Sequence, residues 1–95
     1  MKKLSEFTED KAFAVIADLM EPIVEILKVP ENREIQGKTR FSMFAGFLKN
    51  SPDAMRKIFA ILSEEDPETF RCSAAQIARY TMQLISDDDF ISLFT

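Results

Sequence analysis

Few side chains in this sequence can do chemistry. Cys72 is the single thiol, and there is no histidine. A thiolate nucleophile needs a base within hydrogen-bond reach, so a Cys–His centre is excluded. The same two facts exclude a thiolate zinc site, an intramolecular disulfide and imidazole-based acid–base work. Cys72 stands just before a helix start at Ser73, where a helix dipole would lower a thiol's pKa somewhat. Its simpler role is that of a small residue beside a cap. Two acidic runs remain, residues 64–66 and residues 87–89. Adjacent carboxylates at a helix start point in different directions. The glycine and distal glutamate of a calcium loop are missing. Asp87, Asp88 and Asp89 therefore read as helix capping, and Glu64, Glu65 and Asp66 as an acidic loop. Phosphate-loop and dinucleotide fingerprints are absent. The sequence predicts no catalytic residue, no metal and no cofactor.

Basic residues are unevenly placed. Residues 28–57 hold seven Lys or Arg against three Asp or Glu, a net of +4; the remainder holds five against thirteen, a net of −8, giving −4 in all. Arg33, Lys38, Arg40, Lys49, Arg56 and Lys57 could be weighed as phosphate contacts. They are spread over a loop and two helices in an acidic chain, so intramolecular charge complementarity is the better reading and nucleic-acid binding is not expected.

What remains is apolar surface. Nine Phe and five Met accompany one Tyr and no Trp. Most of these belong in a core, but a short chain has few layers in which to hide every apolar face. The segment from Phe41 through Leu48 is apolar around most of its circumference, and such a helix is either buried or partly used for binding. The sequence ends on apolar residues from Phe90 to Phe94. The candidate partner-binding residues are therefore Phe41, Met43, Phe44, Phe47, Phe90 and Phe94.

The elements that must position these residues are helical. Thr8 precedes Glu9 and Asp10 as a helix start whose hydroxyl can cap free N–H groups. Ala12, Phe13, Ile16, Leu19, Met20, Ile23 and Leu27 then recur at helical spacing. Val15, Val24 and Ile26 widen that stripe, so more than one neighbour is expected on it. Pro22 predicts a kink or break near Met20 and Glu21. Val29 before Pro30 ends the helix. Residues 29–39, polar and carrying Gly37, read as a mobile connecting loop. A second helix spans roughly Arg40 to Lys49, with Gly46 explained by close packing. Ser51, Pro52 and Asp53 open a third, in which Ser51 caps and Pro52 takes the first position; it ends near Ser63. Asp66 and Pro67 open a short helical turn holding Phe70. Ser73 and Gln76 fit a capping box before a long helix containing Ile77, Tyr80, Thr81, Leu84 and Ile85. Residues 86–89 start a last short helix. The fold expectation is a single all-α domain over residues 1–95, a compact bundle of four to five helices with one kinked or broken near Pro22.

Length and composition agree with this. Ninety-five residues, 46% hydrophobic and 29% charged, suit one small globular domain. No apolar run approaches the length of a membrane span. The basic pair Lys2 and Lys3 meets Glu6, Glu9 and Asp10 at once, unlike a secretory signal, so a cytoplasmic setting is expected.

The order of motifs resembles a known family. Residues 3–12, from Lys3 to Ala12, run into residues 17–23, from Ala17 to Ile23. Later come residues 48–52, from Leu48 to Pro52, and 58–62, from Ile58 to Leu62. Residues 65–70, from Glu65 to Phe70, and the acidic-then-aromatic residues 88–94 follow. Taken together, these are similar to the small helical tail assembly chaperones of long-tailed phages and prophages of Gram-positive bacteria. The resemblance implies a non-enzymatic protein in the cytoplasm of a Gram-positive host, absent from the mature virion. It implies binding to the tape measure protein and help in recruiting tail tube protein, self-association into a homo-oligomer, and a longer form made by translational frameshift. It fixes no contact residues. The alternative expectation is a small helical adaptor or regulator that binds a single protein partner.

Overall fold

A computed structural model describes residues 1–34 and 39–94. The fold is all-α: α1 (Glu9–Lys28), α2 (Pro30–Glu34), α3 (Arg40–Asn50), α4 (Pro52–Leu62), α5 (Ala74–Ile85) and α6 (Asp88–Ile91), with 3-10 turns at Leu4–Glu6 and Ser92–Phe94. There is no strand among the described residues.

The core forms where α1 lies on α4 and where α3 meets α4 and α5. From α1 it takes Val15, Leu19, Ile23 and Ile26, and from α4 it takes Met55, Ile58, Phe59 and Leu62. The two halves of each helix face differ by burial as helical periodicity requires. The backbone before α1 is tied to the end of α4 and to the start of α6. The Lys2 N–H donates to the Leu62 carbonyl at 2.9 Å, and the Leu4 N–H donates to Asp87 Oδ2 at 2.9 Å.

Several local expectations hold and several do not. Ser73 and Gln76 form the capping box, with Ser73 Oγ accepting from the Gln76 N–H at 3.2 Å and Gln76 Oε1 accepting from the Ser73 N–H at 2.9 Å. Asp87 caps α6, its Oδ1 accepting from the Asp89 and Phe90 N–H groups. Pro52 opens α4, but the Ser51 hydroxyl makes no cap bond; it accepts from Asn32 instead. Thr8 makes no side-chain cap bond either, and Glu9 begins α1 with a φ of 56°. Asp66 caps the turn at residues 67–69 as expected, its Oδ1 accepting from the Glu68 N–H at 2.9 Å and its carbonyl from the Phe70 N–H at 3.0 Å.

Two larger expectations are corrected. First, of the kink or break expected near Pro22, the break does not occur: α1 runs continuously from Glu9 to Lys28. Proline removes one backbone bond, yet Leu19, Ile23 and Ile26 on either side of it are buried against the core, which keeps the helix continuous across it. Second, the segment after Val29 is not all loop. Val29 is extended, as a residue before proline should be, with ψ of 117°, and Pro30 then starts α2 at once. Asn32 fixes this short helix. It is fully buried, donates from Nδ2 to the Ile26 carbonyl at 2.8 Å and to Ser51 Oγ at 3.0 Å, and accepts at Oδ1 from Asn50 Nδ2 at 3.2 Å. The part of the expected loop at residues 35–38, with Gly37, lies outside the described residues.

Candidate functional site

The six residues expected to meet a partner divide five to one. Phe44, Phe47 and Phe90 are fully buried, and Met43 and Phe94 are nearly so. Phe44 and Phe47 meet edge-to-face at 5.4 Å between ring centroids; Phe47 lies 5.2 Å from Phe94, and Phe90 lies 5.5 Å from Phe94. The structure thus brings the two candidate segments together, but as the aromatic centre of the core. The reason is that α6 and its 3-10 extension fold back onto α3. Such pairs contribute about 0.5–1.5 kcal/mol beyond their burial. The expectation that these five side chains form an outer binding face is corrected. Phe41 alone stays outside, 60% exposed at the start of α3.

The large apolar surface lies elsewhere. On α1, Phe13 is 81% exposed, and Ile16, Met20 and Val24 are 36–45% exposed. Their spacing of three, four and four residues puts them on one side of the helix, along about 16 Å of its length. Sequence reasoning placed these residues on the stripe of α1 and expected a second neighbour for it. Inside the chain α4 and α2 pack on α1, and this second row faces outward. The signal was present as a stripe too wide for one neighbour.

The opposite flank of α1 borders an open groove of about 620 Å³ against the end of α4 and residues 64–68. Its floor includes Val15, Pro22 and Ile61, and its rim is rich in carboxylates. Lysines answer several of these. Lys57 Nζ bonds Glu25 at 2.9 Å and Glu21 at 3.4 Å, and the bond to Glu25 foremost raises the Lys57 pKa above its ordinary 10.5. Lys2 and Lys11 reach Glu64 at 3.0 and 3.5 Å; the bond from Lys2 foremost lowers the Glu64 pKa. Arg40 pairs with Asp88 at 2.8 Å, and Arg56 with Asp53 at 3.4 Å. Arg40, Arg56 and Lys57 are therefore used in intramolecular pairs. Lys38 lies outside the described residues.

Cys72 lines a smaller hollow of about 330 Å³ with Met55, Phe59 and Ile77. Burial pushes its thiol pKa up, against the sequence expectation of a lowered one, because loss of solvation outweighs the charge of Arg56. Among the described residues no group of three acids or thiols is placed to hold a metal ion, and no helix is long and apolar enough to cross a membrane. No protein-family model, curated protein or solved structure matches this chain.

Proposed function

We propose that this chain acts by binding protein, as a tail assembly chaperone that covers the tape measure protein and assists tail tube assembly in a Gram-positive host. The observation that carries the binding reading is the outward row of Phe13, Ile16, Met20 and Val24 on a helix whose other face is already in the core. An exposed aliphatic and aromatic row of this length suits one amphipathic helix laid across it. The identity of that helix as a tape measure segment is supported by the motif order of the sequence. A net charge of −4 would keep many bound subunits mutually repelling and soluble.

The experiment is co-expression with the tape measure protein of the same phage or prophage, followed by size exclusion with light scattering. The expected product is a soluble complex carrying many copies of this chain per tape measure chain. Phe13→Asp is expected to abolish it while leaving the helical circular dichroism intact. An insoluble tape measure protein beside unbound wild-type chain overturns the chaperone reading. A complex with one compact protein at fixed stoichiometry would replace it with the adaptor reading.

A further inference from the structure

We propose that the hollow beside Cys72 binds a small apolar carboxylate, an aliphatic acid of medium length whose chain fills the hollow and whose head group meets Arg56 and Arg71. This goes beyond the reading above. The hollow shares no lining residue with the α1 groove and includes none of the outer row of α1. Its origin is in the packing. α5 rests mainly on α3 and α6. Towards α4 it is bridged by rings, Phe59 to Tyr80 at 5.5 Å and Tyr80 to Phe70 at 6.3 Å. Beside those rings about 330 Å³ stays open, with the buried Met55 and Phe59 on one side and the half-buried Leu48 and Ile77 on the others. Small-molecule sites are apolar hollows of about 300–1,000 Å³ with a few convergent polar groups. This one is at the small end of that range, which suits a short chain.

The charges choose the head group. Arg71 is in no ion pair among the described residues. Its Nη1 donates to the Glu68 carbonyl at 3.2 Å and to the Phe70 carbonyl at 2.7 Å, which fixes the guanidinium at the rim. Both bonds use Nη1, so Nε and Nη2 have no acceptor among the described residues. A guanidinium with donors to spare is shaped to take a carboxylate. Arg56 does pair, with Asp53 at 3.4 Å, but Arg56 is 28% exposed and Asp53 84%. The guanidinium is thus part of the wall, and its partner stands out in water, where an ion pair is weak and readily exchanged. The charge of Arg56 also reaches the Cys72 thiol, so it acts within the hollow. Two guanidiniums against one carboxylate leave +1 at the hollow, in a chain of net −4. An anion is favoured there over a cation. The side chain of an Asp or Glu from a protein partner brings the same head group on too short a stem to fill about 330 Å³, so the occupant is a free acid.

Titration of the isotope-labelled chain with octanoate, followed by amide NMR, tests this. Octanoate is expected to bind with a Kd of about 1 mM, as for a ligand of about ten non-hydrogen atoms. The shifts should centre on residues 48–59 and 71–77. Octanol, the same chain without the charge, should bind about fivefold more weakly, and octylammonium more weakly still. Arg71→Gln should weaken octanoate about fivefold and octanol by less than about twofold, which separates lost charge from lost packing. A second measurement uses Cys72, the single thiol, as a reporter. Its alkylation by iodoacetamide in the folded chain should slow about fivefold or more when octanoate stands at about ten times its Kd. Octanol that binds as tightly as octanoate overturns the proposal. So do shifts centred on residues 13–24, an unchanged alkylation rate, or an Arg71→Gln chain that loses both ligands equally. A hollow silent to octanoate whose amides shift when a protein partner binds also overturns it, and gives the hollow to a partner's side chain. The α1 row takes no part in these measurements, so their failure leaves the chaperone reading standing, and failure of co-expression leaves the carboxylate site standing.

Discussion

The outer row of α1 and the aromatic cluster between α3 and α6 are built from the same kinds of residue and have opposite fates. Phe13 is 81% exposed, whereas Phe44 and Phe47 are wholly buried. Local apolarity does not separate them. What separates them is the number of neighbours the chain can supply. α3 meets α2, α4 and α5, and the end of the chain folds over it, so the face that carries Met43, Phe44 and Phe47 finds a cover while Phe41, Ser42, Ala45 and Lys49 stay exposed. α1 is almost twice as long, and α4 with the short α2 covers only one of its faces. The lesson is that the most apolar segment is the one a small domain spends first on its own core. Surplus then appears on the longest helix.

The sharpest way to break this comparison is to truncate one phenylalanine on each side of it. Phe44→Ala should cost about 3–5 kcal/mol, the range for a fully buried ring lost from a core. That is a large share of the stability of a domain this size. Phe13→Ala should change stability by no more than about 0.5 kcal/mol, as for an exposed side chain without partners. Urea titration followed by circular dichroism measures both. Equal costs would mean that Phe13 is covered within the monomer.

A smaller effect is expected at Asn32, where the core is polar. Asn32→Ala removes three hydrogen bonds and leaves a small cavity. The loss should be about 2–3 kcal/mol, since the groups left behind lose buried partners. Asn32→Asp should cost as much, because a carboxylate cannot donate to the Ile26 carbonyl and the Ser51 hydroxyl. An Asn32→Ala chain as stable as wild type would show that α2 is dispensable for seating α1 and α3.

Asn32 also marks the limit of what the sequence discloses. Its partners lie 6, 18 and 19 residues away, so no local pattern announces that an asparagine in a polar stretch will be buried. The same holds for Ser51, whose hydroxyl answers Asn32 rather than its own helix. By contrast, Ser73 with Gln76, Asp87 and Pro52 are legible, because capping is settled within one turn of chain. The all-α class and the helix at Arg40–Asn50 follow from periodicity alone. Periodicity says which residues share a face and is silent on whether anything covers that face. That is why Phe44, Phe47, Phe90 and Phe94 could be taken for surface, and Phe13 with Met20 for core. Pro22 shows the same limit: a proline's local cost is visible, while the buried contacts that keep α1 continuous across it are not.

The finest test concerns how α1 is held while its outer row stays bare. Its first turns are tied down through Glu64, which joins Lys2 and Lys11 just past the end of α4. Glu64 does this from an unusual backbone position. Its φ is 58°, its N–H donates to the Ile61 carbonyl, and the next N–H, of Glu65, donates to Ala60, the reverse turn that glycine usually makes at a helix end. Two effects thus oppose each other at one residue. Glu64→Gly relieves the left-handed backbone and loses the carboxylate; Glu64→Gln loses the charge and keeps the strain. Glu64→Gly should therefore be the more stable of the two by about 0.5–1 kcal/mol, the conformational preference of glycine at such a position. The pH dependence separates the remaining part. The carboxylate's pKa is lowered in the folded chain, so the folded state holds its proton less tightly than the unfolded state does. Its contribution is present above the unfolded value, close to 4.5, and is lost as pH falls through the lower folded value. Wild type should lose stability over that acid window more steeply than either variant, and salt should narrow the gap, because the pairs are exposed. If all three chains show the same acid slope, the lysine contacts do not hold the start of α1, and its seat rests on the buried row from Val15 to Ile26 alone.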